Sequence, residues 1–285
     1  MDLKGKVAVV TGASRGIGRG VALGLGEYGA TVYVTGRTED SGALPDFLKG
    51  TGIQRTAEEV TALGGKGIAH RCDHANDAEV EKLFERVLSE QGKIDILVNS
   101  AWGGGVHAMQ GYFYGTPFWQ QPVSILDDHF TVGMRSNYVA SRLAASAMVR
   151  QKSGLIVNIS YYGGRHYFNN VAYGVMKAAV DRLSADTALE LKPFSVAVFS
   201  LYPGTASTEG MIEYAKYDPR VDISTMETPR FSGRCVAALT LDPKAIEESG
   251  SVLIAAEVAR RYGFTDVDGK QPRSERPEKW ELQTM

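Results

Sequence analysis

Two side chains able to carry proton chemistry stand four residues apart in the segment Tyr173-Gly-Val-Met-Lys177. Residues i and i+4 share one face of a helix, so the Lys177 ammonium would lie close enough to lower the pKa of the Tyr173 phenol. A phenol tuned in this way is a general acid for a carbonyl oxygen, or a general base for an alcohol in the reverse direction. The spacing alone is common and usually indicates a surface pair, so its weight depends on the elements around it.

The pair belongs to a predicted helix, 172–191, within an alternating series of strands and helices. Strands are predicted at 6–11, 31–35, 67–71, 94–99, 155–160, 196–202 and 251–255, and further helices at 16–28, 56–63, 77–90 and 125–151. Near-continuous apolar strands separated by helix-length crossovers predict a doubly wound parallel sheet with helices on both faces. We therefore expect one α/β domain of Rossmann-like architecture with about seven strands.

Three segments are longer than the crossovers require, namely 38–55, 103–122 and 204–231, and a polar tail begins at about 271. Long segments in a compact α/β domain usually hold function or disorder. We therefore expect variable loops at these three places.

Composition excludes several classes of partner. The 285 residues include 31 Lys+Arg and 33 Asp+Glu, a net charge of −2, and this composition lacks the excess of positive charge that is typical of nucleic-acid-binding proteins. Apolar stretches fall short of the roughly 20 residues that span a bilayer, and the first residues run into a strand instead of a signal peptide. We expect a cytoplasmic protein without a membrane partner, with Cys72 and Cys235 as reduced thiols.

A glycine-rich turn joins the first predicted strand to the first helix, with the sequence Thr11-Gly12-Ala13-Ser14-Arg15-Gly16-Ile17-Gly18. Glycines there let the backbone turn tightly and approach a pyrophosphate, whose charge the free N–H groups of the helix stabilise. The strand before and the helix after favour a dinucleotide site over a simple turn. The candidate cofactor contacts in this turn are Gly12, Ser14, Arg15, Gly16, Ile17 and Gly18.

The G-x3-G-x-G spacing, together with Y-x3-K on the helix after the fifth strand, resembles the short-chain dehydrogenase/reductase superfamily in its single-domain branch. The segments 232–239 and 259–270 are similar to one subgroup of that branch. The resemblance implies a nicotinamide cofactor, with Tyr173 as catalytic acid and Lys177 holding both phenol and ribose. It also implies a homodimer or homotetramer in which helices 125–151 and 172–191 pair.

The residues after the second and third strands predict the cofactor. Gly36 stands where an NAD-preferring protein usually has an acid that binds the ribose 2′-hydroxyl. Arg37 and Arg15 are placed to bind a 2′-phosphate, which favours NADP(H) over NAD(H). The alternatives are that both arginines are solvated, or that Arg37 only stacks on the adenine. The resemblance gives Asp73 a contact with the adenine amino group.

Histidines near Asp73 raise the question of a metal site. His70, Cys72 and His74 flank the end of the third strand. Their predicted directions diverge and no fourth ligand is evident, so we expect no metal.

Two further segments match the family at the carboxyl ends of strands. In Asn99-Ser100-Ala101-Trp102, Asn99 and Ala101 match its Asn-Asn-Ala-Gly pattern, whereas Trp102 adds bulk beside the cofactor. The other segment resembles the family's Pro-Gly-x3-Thr turn, which would hold the nicotinamide carboxamide; its candidate contacts are Pro203, Gly204, Thr205 and Thr208.

The remaining two members of the family's catalytic tetrad are altered. Tyr161 occupies the place of the family serine, and Ser160 is one residue away on the opposite face of the strand. Either Tyr161 or, after a backbone twist, Ser160 supplies the second hydroxyl. Gly133 occupies the place of the family asparagine, and Asn137 stands one turn later.

An aromatic segment predicts the substrate side. Between Trp102 and Trp119 lie Tyr112, Phe113, Tyr114 and Phe118. This segment is either a buried flap or the apolar wall of a pocket, and we favour the wall because it follows the fourth strand. The expected substrate is a small apolar ketone, aldehyde or quinone, or the corresponding alcohol. His107 and His166 either contact substrate polar groups or are exposed loop histidines.

Two functional hypotheses follow. The first is an NADP(H)-dependent oxidoreductase of the carbonyl reductase or alcohol dehydrogenase type. The alternative is an NADP(H)-binding sensor or interaction partner with a degraded tetrad, which Gly133 and Tyr161 favour. Epimerase or dehydratase chemistry on nucleotide sugars is disfavoured by the glycine spacing and by the missing sugar domain.

Overall fold

A computed structural model describes residues 1–40, 42, 44–112, 116–168 and 170–276 of the chain. Seven strands form one parallel sheet in the order β3-β2-β1-β4-β5-β6-β7. They are β1 Val7–Val10, β2 Thr31–Gly36, β3 Lys66–Arg71, β4 Ile96–Asn99, β5 Gly154–Ile159, β6 Val196–Tyr202 and β7 Val252–Ile254. The predicted Rossmann-like, seven-stranded parallel sheet is confirmed, and its strand ends differ from the prediction by at most two residues.

Helices cover both faces of the sheet. They are α1 Gly16–Glu27, α2 Ile53–Ala62, α3 Asp77–Gln91, α4 Gly105–Met109, α5 Ser124–Asp128, α6 Ser136–Gln151, α7 Val171–Leu191, α8 Glu209–Ala215, α9 Pro229–Leu241 and α10 Ala255–Tyr262. One apolar layer packs α1, α2, α9 and α10 on the sheet, and the other packs α3, α6 and α7. Successive strand residues place their side chains in opposite apolar layers: Ala8 and Val10 lie in the first layer, and Val7 and Val9 lie in the second.

The strand order reverses beside β1, which lies between β2 and β4. In doubly wound sheets a crevice opens at such a reversal, outside the carboxyl ends of the strands. The segments that follow β1, β4, β5 and β6 therefore meet at one edge. These are the segments that carry the candidate chemistry.

The prediction of one continuous helix over 125–151 is wrong. A π-helical stretch, His129–Arg135, separates α5 from α6. A π-helical turn holds one extra residue per hydrogen-bonded ring, and such turns are frequent at functional sites. The segment His129–Arg135 contains no proline that would signal an irregular helix, so the sequence pattern predicted one unbroken helix.

Helices α1 and α9 approach until their backbones touch. A Cβ added at Gly24 would lie 2.7 Å from the Cα of Gly233, and one added at Gly20 would lie 2.1 Å from the carbonyl carbon of Pro229. Glycine is therefore required where these helices cross.

The segments expected to be irregular contain short helices. Segment 103–122 includes α4 and a 3₁₀ turn, Phe118–Gln120, and segment 204–231 includes α8, the turn Ile223–Thr225 and the start of α9. None of the helices among the described residues is both long and apolar enough to cross a membrane.

Candidate active site

The turn between β1 and α1 has a backbone that favours glycine. Gly12 and Gly16 adopt φ values of +65° and +57°, in the left-handed region. A Cβ at Gly12 would lie 2.6 Å from the Cα of Ala101, and one at Gly18 would lie 2.3 Å from the Gly12 carbonyl oxygen. The turn therefore packs against the end of β4, with Ser14 buried and Ile17 packed on the core.

A carboxylate already binds the start of α1. The Gly16 N–H donates to Glu209 Oε2 at 2.9 Å, and Arg19 Nη1 lies 3.6 Å from Glu209 Oε1. The free N–H groups and the dipole of a helix N-terminus attract anions. This contact shows that the turn accepts a negatively charged oxygen, so it fits the pyrophosphate of a dinucleotide.

Two arginines lie at the end of β2, where the sequence places no acid. Arg15 Nη2 donates to Thr38 Oγ1 at 3.2 Å. Burial lowers the pKa of the Arg15 guanidinium; Glu209 opposes this shift and nearby Arg37 adds to it. The exposed Arg37 thus lies close enough to repel Arg15, so two guanidinium groups are near each other at the edge of the sheet.

Among the three residues at the end of β3, Cys72 and His74 are in contact, with Sγ and Nδ1 3.9 Å apart, so the predicted divergence of their side chains is wrong for this pair. The His70 ring faces Arg86 at 3.1 Å, whereas His74 Nε2 lies 2.9 Å from Thr35 Oγ1 in the interior, where burial lowers its pKa to about 4. Within the described ranges no three His, Cys, Asp or Glu residues are grouped as metal ligands. Asp73 accepts from the Ala75 N–H at 3.0 Å in the turn that follows β3.

Asn99 lies inside the sheet. Its Nδ2 donates to Asn158 Oδ1 at 2.8 Å and to Ser141 Oγ at 3.0 Å, and Asn158 continues the network to Ser184. The side chain thus stiffens the sheet, as the family pattern implies. Its contact with the cofactor stays a prediction.

Tyr173 and Lys177 come together on the first two turns of α7. Asn170 Oδ1 accepts from the Tyr173 N–H at 2.8 Å and caps the helix. The buried Lys177 Nζ donates to the Ile159 carbonyl oxygen at 3.0 Å and lies 5.6 Å from the centre of the Tyr173 ring. Burial lowers the pKa of Lys177 to about 8, and Asp181 opposes that shift.

Ser160 and Tyr161 diverge at the end of β5. Ser160 is buried, and its Oγ donates to the Lys177 carbonyl oxygen at 3.4 Å. Tyr161 donates to Glu275 Oε2 at 3.2 Å, and its ring packs on Tyr162 and Phe168. Burial, and secondly Glu275, raise the pKa of Tyr161, so this phenol remains a hydrogen-bond donor.

Comparison with known proteins identifies the arrangement. Residues 6–218 match the short chain dehydrogenase family. The chain belongs to this family. It is similar to "Dehydrogenase/reductase SDR family member 1" of Mus musculus, with 44% identity over 281 residues, covering 94% of this chain and 85% of the relative. This is the subgroup to which segments 232–239 and 259–270 pointed, and the resemblance is confirmed.

Solved short-chain dehydrogenases share the fold. A metagenomic short-chain oxidoreductase in complex with NADP has a TM-score of 0.69 at 28% identity, covering 88% of this chain and 96% of that one. The 7 alpha-hydroxysteroid dehydrogenase complexed with NADH and 7-oxo glycochenodeoxycholic acid has a TM-score of 0.71 at 25% identity, covering 95% of this chain and 96% of that one.

A side chain at the position of the family asparagine would be crowded by Met176 in this chain. Gly133 lies within the π-helical stretch, and a Cβ added to it would lie 3.0 Å from both Cγ and Sδ of Met176. Asn137 is buried, and its carbonyl oxygen accepts from Asn99 Nδ2 at 3.5 Å. Met176 therefore fills the space into which a side chain at 133 would extend.

Aromatic rings surround Tyr173. The ring centre of Trp102 lies 6.2 Å from that of Tyr173, His129 lies at 6.1 Å and Phe168 at 6.1 Å. Trp102 is 38% exposed, so its ring presents open apolar surface at the position where the family's Asn-Asn-Ala-Gly pattern has glycine. His129 is fully buried and Nδ1 donates to the Ile125 carbonyl oxygen at 2.7 Å, while burial lowers the pKa of its ring.

The described part of the aromatic segment 103–122 argues against one of its two predicted alternatives, the buried flap. Phe118 and Trp119 are 61% and 73% exposed, so neither belongs to a buried flap. Phe113 and Tyr114 lie outside the described residues. His107 is buried and its Nε2 lies 2.7 Å from Asp128 Oδ2, so it is not an exposed loop histidine. His166 is half-buried against the Tyr162 ring.

The turn after β6 is tied to Glu227. The Glu227 N–H donates to the Thr205 carbonyl oxygen at 3.1 Å, and the Ser207 N–H donates to that of Glu227 at 2.9 Å. Pro203 is buried, and Thr208 Oγ1 accepts from the Met211 N–H at 3.3 Å, which caps α8. The Glu227 carboxyl is buried behind Gly204, and burial raises its pKa to about 8.

Sequence reasoning missed three acidic residues of this site: Glu209, Glu227 and Glu275. Glu209 and Glu275 contact predicted cofactor and catalytic segments that lie far away along the chain, whereas Glu227 pairs with the nearer 204–208 turn. The sequence offered one signal, the acidic Glu209 directly after the candidate cofactor contact Thr208. A carboxylate so close to the predicted cofactor site can bind the N–H groups of the glycine turn.

Proposed function

We propose that the chain is an NADP(H)-dependent oxidoreductase that interconverts an apolar ketone, aldehyde or quinone and the corresponding alcohol. The single observation that carries the proposal is the Tyr173–Lys177 pair, with the lysine ammonium buried beside the phenol ring at the carboxyl ends of the strands. Binding a dinucleotide alone would need the lysine more than the phenol.

In this proposal Tyr173 moves the proton. Its hydroxyl donates to the substrate oxygen during reduction and takes the proton back during oxidation. Lys177 has a depressed pKa of about 8, and its positive charge near the phenol favours the phenolate form of Tyr173. Tyr161 supplies the second hydroxyl that orients the substrate, because Ser160 is buried against α7.

The cofactor would lie along the edge formed by the turns after β1, β4 and β6. Bound there, NADP(H) supplies or accepts a hydride. Arg15 and Arg37 would bind the 2′-phosphate by charge-assisted hydrogen bonds, and the helix N-terminus at Gly16 would bind the pyrophosphate in place of the Glu209 carboxylate. Asp73, Ala101, Lys177 and the turn Pro203–Thr208 would contact the remainder, as the family pattern implies.

The substrate class follows from the surroundings of the phenol. Trp102, Phe168 and the ring of Tyr161 present apolar surface near Tyr173, which suits a small apolar carbonyl compound. A panel of apolar aldehydes, ketones and quinones tests this by the loss of NADPH absorbance at about 340 nm. Turnover confined to charged or sugar substrates would overturn the substrate class.

Cofactor preference is tested separately by binding. Losing one charge-assisted phosphate contact costs about 1.5–3 kcal/mol, or roughly 10- to 150-fold in affinity. Arg37→Asp should therefore weaken NADPH binding and leave NADH binding similar or improved, whereas Arg150→Asp, at the exposed end of α6, should change neither. Equal dissociation constants of the unmodified protein for NADH and NADPH, by calorimetry, would overturn the preference.

Two observations favour a second candidate, an NADP(H)-binding protein without turnover. Met176 fills the space of the family asparagine at Gly133, and the family serine is replaced. NADPH binding with no turnover across the whole substrate panel would support this sensor-like function.

We further propose a cytoplasmic homodimer or homotetramer. Tyr138 on α6 and Val175 and Leu189 on α7 are 53%, 48% and 75% exposed, which supports pairing of these helices between subunits. Sedimentation of the purified protein as a monomer would contradict the oligomer.

A further inference from the structure

The segment 271–276 lies against α10 and is fixed there by one carboxylate. Glu257 Oε1 accepts from Ser274 Oγ at 2.8 Å and from Arg276 Nε at 2.8 Å, and its Oε2 accepts from Arg276 Nη2 at 2.5 Å. Gln271 Nε2 adds a longer contact, 3.5 Å, to the Ala256 carbonyl oxygen. We call this segment the strap.

Between the two fixed residues of the strap, the side chain of Glu275 reaches into the candidate site. Its Oε1 accepts from the Thr205 N–H at 2.8 Å, and its Oε2 accepts from the Tyr161 hydroxyl at 3.2 Å. One carboxylate therefore joins the turn after β6 to the residue after β5. A Cβ added at Gly204 would lie 3.5 Å from Glu275 Oε1, so the carboxylate sits directly on the turn.

These two donors are the ones that the proposed function assigns to ligands. The Thr205 N–H belongs to the turn that would hold the nicotinamide carboxamide, and the Tyr161 hydroxyl would orient the substrate. The Thr205 N–H has one hydrogen, and it already points at a carboxylate oxygen 2.8 Å away, so it cannot donate a well-aligned hydrogen bond to a second acceptor. The Glu275 contact and the ligand contact are therefore mutually exclusive.

We propose that the strap is an autoinhibitory closure of the cofactor and substrate site, with Glu275 competing for the Thr205 N–H and the Tyr161 hydroxyl until ligand binding displaces it. This proposal rests on the proposed function. Glu275 and Arg276 are exposed, so water competes for these hydrogen bonds and the closure is readily reversible. The expected effect is therefore a moderate loss of affinity and not a block.

The test is the affinity for NADPH, measured by calorimetry on the full chain. Glu275→Gln removes the charge that strengthens both hydrogen bonds and should tighten binding about three- to tenfold. Glu257→Gln weakens the fixation of the strap without altering any group of the site and should tighten binding in the same direction. Glu248→Gln is the matched control, because it removes a carboxylate paired with Arg261 of α10 at 2.9 Å outside the strap.

A second measurement reports the strap itself. Hydrogen–deuterium exchange of the Thr205 amide should be faster in Glu275→Gln than in the unmodified protein without ligand, and saturating NADPH should speed exchange across 271–276. If NADPH binds and responds to Arg37→Asp but Glu275→Gln leaves affinity unchanged or weaker, the strap proposal is overturned and the proposed function stands. If no variant binds NADPH, the proposed function and the strap proposal both fall.

Discussion

Replacing Glu227 by glutamine should stabilise the protein, and the gain should grow with pH. The Glu227 side chain is buried at 3% exposure behind the turn that follows β6. Burial raises the pKa of its carboxyl from 4.5 to about 8, and the nearby Asp266 and Glu275 add to the rise. Glutamine keeps the shape of the side chain and cannot ionise.

The size and sign follow from proton linkage. Because the folded-state pKa is raised, the folded protein binds more protons than the unfolded chain between pH 4.5 and about 8. Stability therefore falls as pH rises through that window. One pKa unit corresponds to about 1.4 kcal/mol, so the loss at and above pH 8 is on the order of 3–5 kcal/mol for the unmodified protein.

The assay is the free energy of unfolding by urea at pH 5, 7 and 8.5. The difference between Glu227→Gln and the unmodified protein should rise by a few kcal/mol across this range. Glu58→Gln, a change at an exposed position on α2, serves as the control and should show little pH-dependent difference. A constant difference at all three pH values would refute the reasoning, because it would mean that Glu227 ionises normally.

Three further predictions concern the catalytic groups. Tyr173→Phe should lower turnover by on the order of 10²-fold or more while leaving the NADPH dissociation constant nearly unchanged, and a normal rate would contradict its role as the acid. Tyr161→Phe should lower kcat about tenfold and Ser160→Ala should leave kcat nearly unchanged, because the Ser160 hydroxyl is bonded to α7 and the Tyr161 hydroxyl is not. The opposite ranking would show that Ser160 supplies the hydroxyl that orients the substrate. Gly133→Asn should lower the free energy of unfolding by about 1–3 kcal/mol, because the new side chain overpacks against Met176, and it should not raise turnover. A gain in kcat/KM would show that the site can still accommodate the family asparagine.

The features that sequence predicted well depend on short separations along the chain. The Tyr173–Lys177 pair needs one helical turn, and the glycine turn after β1 needs one strand, three glycines and one helix, so the local sequence pattern is enough to predict both. The divergence of Ser160 and Tyr161 follows from strand alternation in the same way.

The features that sequence could not predict depend on distant contacts. Glu209 meets Gly16 from 193 positions away, and Glu275 meets Tyr161 from 114 away, so nothing in either neighbourhood signals the pairing. The π-helical stretch around Gly133 was not predicted for another reason: the segment His129–Arg135 contains no proline that would signal an irregular helix.

The backbone contact between α1 and α9 limits how the substrate side can move. The segment 203–228 leaves the sheet at the end of β6 and returns at Pro229, where α9 is pressed against Gly20 of α1. Both ends are therefore held by packed elements, and we expect an opening toward a larger substrate to hinge within the segment itself. Because the two backbones touch at Gly24 and Gly233, a displacement of α9 would require α1 to move as well, and with it the helix start at Gly16 that we propose as the phosphate site.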